Sequence, residues 1–127
     1  MFQKEFTIDG KKVGESSPPY IIAEMSSNHG GELSRAKNII KLSKNCGADA
    51  VKIQVYEPNS LTIDCHKKHF LIDKKFKWKN RSLYELYSEA KTPKDWVPEL
   101  ISYSKKIGIT LFASVFDIDT VKYLNKL

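Results

Sequence analysis

The chain has 127 residues, of which 41% are hydrophobic and 28% charged, a balance that suits one folded domain and excludes a disordered or membrane-spanning chain. Two cysteines, Cys46 and Cys65, are too few for a disulfide framework and lack metal-ligating spacing. The formal charge of +6 lies in one segment: His66 to Arg81 carries seven Lys/Arg against Asp73, and elsewhere fourteen residues of each sign cancel.

Residues 1–14 are charged throughout and lack the apolar core of a signal peptide, so a cytoplasmic chain is expected. Residues 2–14, "FQKEFTIDGKKVG", alternate apolar and polar residues about Asp9-Gly10, which predicts a tight hairpin within an N-terminal segment 1–15. Ser16 to Pro19 then links it to a domain over 16–127.

Tyr20 to Met25 reads as a short buried strand. From Leu33 the spacing turns helical, with Ala36, Ile39, Ile40, Ser43 and Cys46 on one apolar face and Gly47 placed to end the helix. "ADAVKIQVY", Ala48 to Tyr56, is a second strand and "GITLFASVF", Gly108 to Phe116, a third. Between them lie an irregular stretch, a short helix near Ser82 to Ala90, a turn over Thr92 to Trp96, and a main helix from about Val97 that keeps Pro98 in its first turn. Leu100, Ile101, Ser104 and Ile107 share one face of that helix. Asp117 is placed to cap a last helix through Leu124. The order predicts an α/β fold of parallel βαβ units, with strands covered on both faces.

Alternation puts Lys52 and Gln54 on one face of the second strand and Val51, Ile53 and Val55 on the other. Glu24 near the end of the first strand and Ser114 near the end of the third place polar groups at the same sheet edge. In parallel α/β architectures ligands bind at that edge. A cation beside an amide and a hydroxyl suits a small phosphate or carboxylate, and Glu24 suits a hydroxyl-bearing partner. A plain Glu24–Lys52 ion pair is the competing reading, as is a Lys52 that merely reaches water from a strand end. Asn28-His29-Gly30-Gly31 follows in the loop and matches no standard phosphate-binding pattern.

The stretch "IIAEMSSNHGGELSRAKNIIKLSKNCGADAVKIQVY" closely resembles the start of the sialic acid synthase family. "LTIDC", "SLYELYSEAKTP" and Trp96 resemble its pseudaminic acid synthase branch. The resemblance implies condensation of phosphoenolpyruvate with the acetamido sugar 2,4-diacetamido-2,4,6-trideoxy-L-altrose, giving a nonulosonic acid and phosphate for surface glycans. N-acetylneuraminate and legionaminate synthases are the alternatives within the family. By the same resemblance Glu24 is the catalytic carboxylate that contacts the sugar, Lys52 and Gln54 hold phosphoenolpyruvate, and Ser114 stands where the family usually has Thr. Here "ASVF", Ala113 to Phe116, lacks the usual Pro. Asn28 and His29 match the family's Asn-His pair as substrate-binding residues, whereas Asn80 is displaced in spacing and is not carried over.

The resemblance further implies a (β/α)8 TIM barrel, which needs about 250 residues. The chain corresponds to its first three βα units, preceded by the hairpin, with the C-terminal antifreeze-like domain outside it. It implies a divalent metal, Mn or Mg, whose ligands are expected outside this chain, and a homodimer for the intact enzyme. The 127 residues alone are expected not to turn over. Two readings of other classes stand beside this one. A non-catalytic partner could complete a split barrel with a second polypeptide. The segment "HKKHFLIDKKFKWKNR" could bind nucleic acid through basic groups interleaved with Phe70, Phe76 and Trp78, although neither a nucleic-acid nor a membrane partner is expected.

Overall fold

The computed structural model describes residues 4–73 and 75–127. Phe2 and Gln3 of the expected hairpin and Lys74 of the basic segment lie outside the described residues.

Strands β1 (Glu5–Ile8) and β2 (Lys11–Gly14) pair antiparallel, with Ile8 opposite Lys11. Asp9 and Gly10 both have positive φ, 46° and 79°, as a two-residue turn matched to strand twist requires. Next come β3 (Ile22–Glu24), α1 (Leu33–Asn45), β4 (Ala50–Val55), α2 (Leu83–Ala90), α3 (Val97–Ile107), β5 (Thr110–Val115) and α4 (Ile118–Leu124). The order β3-β4-β5 follows the chain, and both pairings are parallel.

Local chemistry sets the helix boundaries. Ser82 accepts from the Glu85 amide at 3.1 Å while the Glu85 carboxylate accepts from the Ser82 amide at 2.7 Å, a reciprocal cap that starts α2. Pro98 occupies the first turn of α3, where its missing N–H costs nothing, and Gly108 ends that helix in the left-handed region at φ 71°. Lys44, at the end of α1, donates to the carbonyls of Ile107 and Gly108, so one cation serves the C-terminal end of α3. Asp117 caps α4 by accepting from the Thr120 amide at 2.6 Å.

Both crossover helices cover the same face. Val51, Ile53 and Val55 of β4 share one core with Ala36 and Ile40 of α1 and Val97 and Leu100 of α3. Full burial of each large aliphatic side chain there contributes roughly 1.5–3 kcal/mol. The opposite face, carrying Ile22, Glu24, Lys52, Gln54, Phe112 and Ser114 by register, has no helix upon it among the described residues. This corrects the expectation of strands covered on both faces. It also corrects the reading of the first strand as buried, because Ile21 and Ile22 are 54% and 45% exposed. Helices wound successively onto one side leave the other side to be closed by the curving sheet itself.

Cys46 is a further correction. It forms the C-cap of α1 and is exposed, since the helix ends at Asn45 and its apolar stripe ends with Ile40 and Ser43. The hairpin docks under the N-terminal ends of the strands. Lys11 pairs with Asp49, Asp49 accepts from the Ile21 amide at 2.7 Å, and Asp9 accepts from the Thr110 hydroxyl at 2.6 Å. The Lys11 contact and the Ile21 amide hold the Asp49 carboxyl below its usual range.

Candidate active site

Residues facing one another across the parallel ladder share a face. Glu24 is in register with Lys52, which is in register with Phe112, and one step further Gln54 is opposite Ser114. Four of the sequence-expected site residues, Glu24, Lys52, Gln54 and Ser114, therefore converge on the open face near the C-terminal ends of three strands. Lys52 Nζ lies 2.8 Å from Glu24 Oε2, and the two side chains are 35% and 40% exposed. The pair is half solvated rather than deeply buried, so an entering anion can still reach the ammonium group.

The loop after β3 fixes the carboxylate. Glu24 Oε1 accepts from the Ser26 amide at 3.1 Å, with Ser26 in the left-handed region at φ 50°. The Ser26 hydroxyl reaches toward Gln54 Oε1 at 3.4 Å, and the Met25 amide donates to the Lys52 carbonyl at 2.9 Å. Acid, cation and amide are thus held by two adjacent strands and one turn.

Asn28 and His29 make their contacts within the loop after β3 and with Trp96. The Asn28 side chain donates to the Met25 carbonyl at 2.9 Å and closes the turn. His29 is fully buried, edge-on to Trp96 with ring centroids 5.5 Å apart, and its Nδ1 accepts from the Gly31 amide at 3.1 Å. Burial lowers its pKa, which favours the neutral imidazole. The structure therefore does not bring His29 to the open face with Glu24 and Lys52.

Beside Gln54 a cleft of about 550 Å³ opens, a size suited to a small-molecule site. Tyr56, Tyr87, Phe116 and Trp78 line it together with Leu61 and Leu86. Tyr56 stands edge-on to Tyr87 and to Phe116, with centroids 6.1 and 5.6 Å apart. Burial, and secondarily Tyr87, raises the pKa of the Tyr56 hydroxyl, so it stays protonated. Sequence reading missed this wall. The available signal was position, because Tyr56 and Phe116 are the first residues past β4 and β5, where a strand delivers side chains to the ligand-binding edge. A cavity of about 590 Å³ at the opposite edge, beneath the hairpin, is lined by Asp9, Lys11 and Asp49, which are already paired with one another or with the strands.

The rim is braced by Asp117, whose carboxylate accepts from the Ser60 hydroxyl at 2.7 Å and from the Thr120 hydroxyl at 2.8 Å. Ser60 first, then Thr120, depress its pKa to about 2. In the basic segment Arg81 pairs with Glu89 at 2.5 Å, and Trp78 lines the cleft beside Gln54. No three His, Cys, Asp or Glu side chains gather to ligate a cation among the described residues. Glu24 is taken up by Lys52, so the donor set among the described residues does not fit a metal.

A family model described as the NeuB family matches residues 39–127. The chain belongs to the NeuB family. It is 45% identical over 107 residues to the pseudaminic acid synthase of Campylobacter jejuni subsp. jejuni serotype O:2, covering 84% of this chain and 31% of that protein. It is 37% identical over 110 residues to the pseudaminic acid synthase of Helicobacter pylori, covering 87% and 32%. Among solved structures, an N-acetylneuraminic acid (sialic acid) synthetase from Leptospira borgpetersenii, crystallised with citrate, superposes with a TM-score of 0.77 at 28% identity over 96% of this chain and 38% of that one. This NeuB-family chain spans about a third of the length of the curated relatives it matches, and its parallel sheet covers part of a TIM barrel.

Proposed function

We propose that this chain is the phosphoenolpyruvate-binding part of a pseudaminic acid synthase, a transferase that joins phosphoenolpyruvate to 2,4-diacetamido-2,4,6-trideoxy-L-altrose with release of phosphate. The observation that carries the proposal is the Glu24–Lys52 pair, set in register beside Gln54 and Ser114 at one sheet edge. Phosphoenolpyruvate carries a carboxylate and a phosphate. The Lys52 ammonium and the Gln54 amide supply donors for one of them, and a charge-assisted bond from Lys52 is about twice as strong as a neutral one. Ser114, across the ladder from Gln54, adds a hydroxyl where the bound enol would lie. Glu24 is left as the acceptor for a proton or hydroxyl of the incoming sugar, held in place by the Ser26 amide.

Asn28 and His29 act by shaping the loop that presents Glu24, His29 through its seat on Trp96. The divalent Mn or Mg implied for the family enters this proposal as a group that other residues hold. The relatives named as pseudaminic acid synthases favour that sugar over N-acetylmannosamine or the legionaminate precursor.

The test is phosphate release by the purified product of the gene encoding this chain, with phosphoenolpyruvate and each of the three sugars. Release that requires both substrates and is fastest with the trideoxy-altrose supports the proposal. Release indifferent to the sugar, or fastest with N-acetylmannosamine, overturns it.

A further inference from the structure

The basic segment 66–81 is the most strongly charged stretch of the chain, and the chemistry above leaves it unused. Its backbone is tied down. Leu71 bridges Ser82, and the Ile72 amide donates to the Arg81 carbonyl at 2.9 Å. Between these ties the Phe76 amide donates to the Asp73 carbonyl at 3.0 Å and the Lys79 amide to the Phe76 carbonyl at 3.1 Å. A loop with tied ends and turns of its own holds its side chains in fixed places. Trp78, near its end, lines the cleft that opens beside Gln54, so the loop stands on the rim of the strand edge. Lys68 and Asn80 line one further hollow, which joins the start of the segment to the same patch.

The charge on this rim is not compensated. Asp73 lies 3.8 Å from Lys75, Glu89 takes Arg81 at 2.5 Å, and Glu57, just past β4, is matched by Lys91 at 2.6 Å and Lys94 at 3.6 Å. Lys67, Lys68, Lys77 and Lys79 are exposed and form no ion pair among the described residues. Lysines that merely keep a surface wet are balanced by acids, as the fourteen basic residues elsewhere in this chain are. Lys77 and Lys79 flank Trp78, and a cleft of about 550 Å³ has a width on the order of 8 Å, roughly one Debye length at physiological ionic strength. Charges so placed reach an anion approaching Lys52 through their field without touching it.

We propose that Lys67, Lys68, Lys77 and Lys79 steer the anionic substrate to the strand edge. A rim of one sign beside a low-dielectric aromatic wall focuses the field at the mouth of a cleft and raises the rate at which an oppositely charged molecule arrives. Phosphoenolpyruvate, with its carboxylate and phosphate, is the substrate such a field acts on. The inference rests on the reading of the strand edge given under the proposed function, and it adds how the anion reaches Lys52. The four lysines act at long range on the encounter, so they set the association rate and its salt dependence and leave dissociation to the groups in contact.

The experiment titrates phosphoenolpyruvate into the 127-residue chain and into a variant combining Lys67→Gln, Lys68→Gln, Lys77→Gln and Lys79→Gln, with association and dissociation rates taken from NMR line shapes. All four positions are exposed, so the variant keeps the fold. At about 0.01 M ionic strength, where the Debye length is ~30 Å, the parent should associate roughly tenfold faster than the variant. At about 1 M, where it is ~3 Å, the two should agree within about twofold, and dissociation should agree within about twofold throughout. Equal association at low salt, or a change confined to dissociation, overturns steering, while phosphoenolpyruvate shifts at Lys52 keep the strand-edge reading intact. No binding of phosphoenolpyruvate by the parent overturns both. A single-stranded oligothymidylate is titrated alongside: binding that the four substitutions abolish, with phosphoenolpyruvate association unchanged, assigns the patch to nucleic acid and overturns the proposal.

Discussion

Lys52→Met and Glu24→Gln should move phosphoenolpyruvate affinity in opposite directions. Lys52 is in register with Glu24, two residues before Gln54 on the same face of β4, and its loss removes a charge-assisted bond to the bound anion. Such a bond contributes about 1.5–3 kcal/mol, so Lys52→Met weakens binding roughly 10- to 100-fold. Glu24→Gln removes a negative charge 2.8 Å from that ammonium. At the several ångströms separating it from an anion on Lys52, in a half-solvated setting, repulsion is on the order of 1 kcal/mol, and its removal tightens binding roughly threefold to tenfold. Neither change should cost much stability, because with 35% and 40% of the side chains exposed the pair belongs with solvated ion pairs of less than about 1 kcal/mol. Isothermal titration gives the affinities and thermal melts give the stabilities. Lys52→Met binding within twofold of the parent would refute the assignment. A large melting loss from both substitutions, with affinity unchanged, would establish the plain ion-pair reading instead.

Three further outcomes follow from the geometry. Asp117 has its folded pKa depressed to about 2 from the usual 3.8. Its contribution to stability is therefore present above about pH 4 and is lost as pH falls toward 2, and Asp117→Asn should flatten that part of an acid-unfolding curve, whereas an unchanged curve would count against the Ser60 and Thr120 contacts. Gly108→Ala places a Cβ at φ 71°, 3.1 Å from Lys44 Nζ, and should cost roughly 1–2 kcal/mol in urea denaturation; a neutral result would mean that the α3 terminus is not held as described. Ile40→Ala empties a fully buried position shared by α1 and β4 and should cost about 2–5 kcal/mol, with a loss below 1 kcal/mol contradicting the single-core packing.

Much of this was legible from residues whose local chemistry leaves few choices. Asp9-Gly10 permits little except a tight turn, and Pro98 with Gly108 brackets α3 at both ends. The alternation Val51, Lys52, Ile53, Gln54, Val55 forces one polar and one apolar face, and parallel pairing then aligns Glu24 and Ser114 with them. What escaped depended on contacts between distant parts of the chain. His29 reads as a loop residue beside a site until Trp96 is seen to seat it, with positive φ at Ser26, Gly30 and Gly31 turning the loop inward. Ile21 and Ile22 look buried because they are apolar, yet Ile22 lies on the face that no helix covers among the described residues and Ile21 stands just before the strand, half exposed. Trp78 reads as part of a basic segment, although its ring lines a cleft formed by residues from β4, α2 and the end of β5. Pattern reports periodicity faithfully and says little about which loop folds over which edge.

The most direct test of the central claim is a crystal of the chain soaked with phosphoenolpyruvate. The account predicts density for the anion within hydrogen-bonding distance of Lys52 Nζ and the Gln54 amide, on the open face at the C-terminal edge of β3, β4 and β5. Density instead at the opposite edge, beside Lys11 and Lys105 beneath the hairpin, would contradict it.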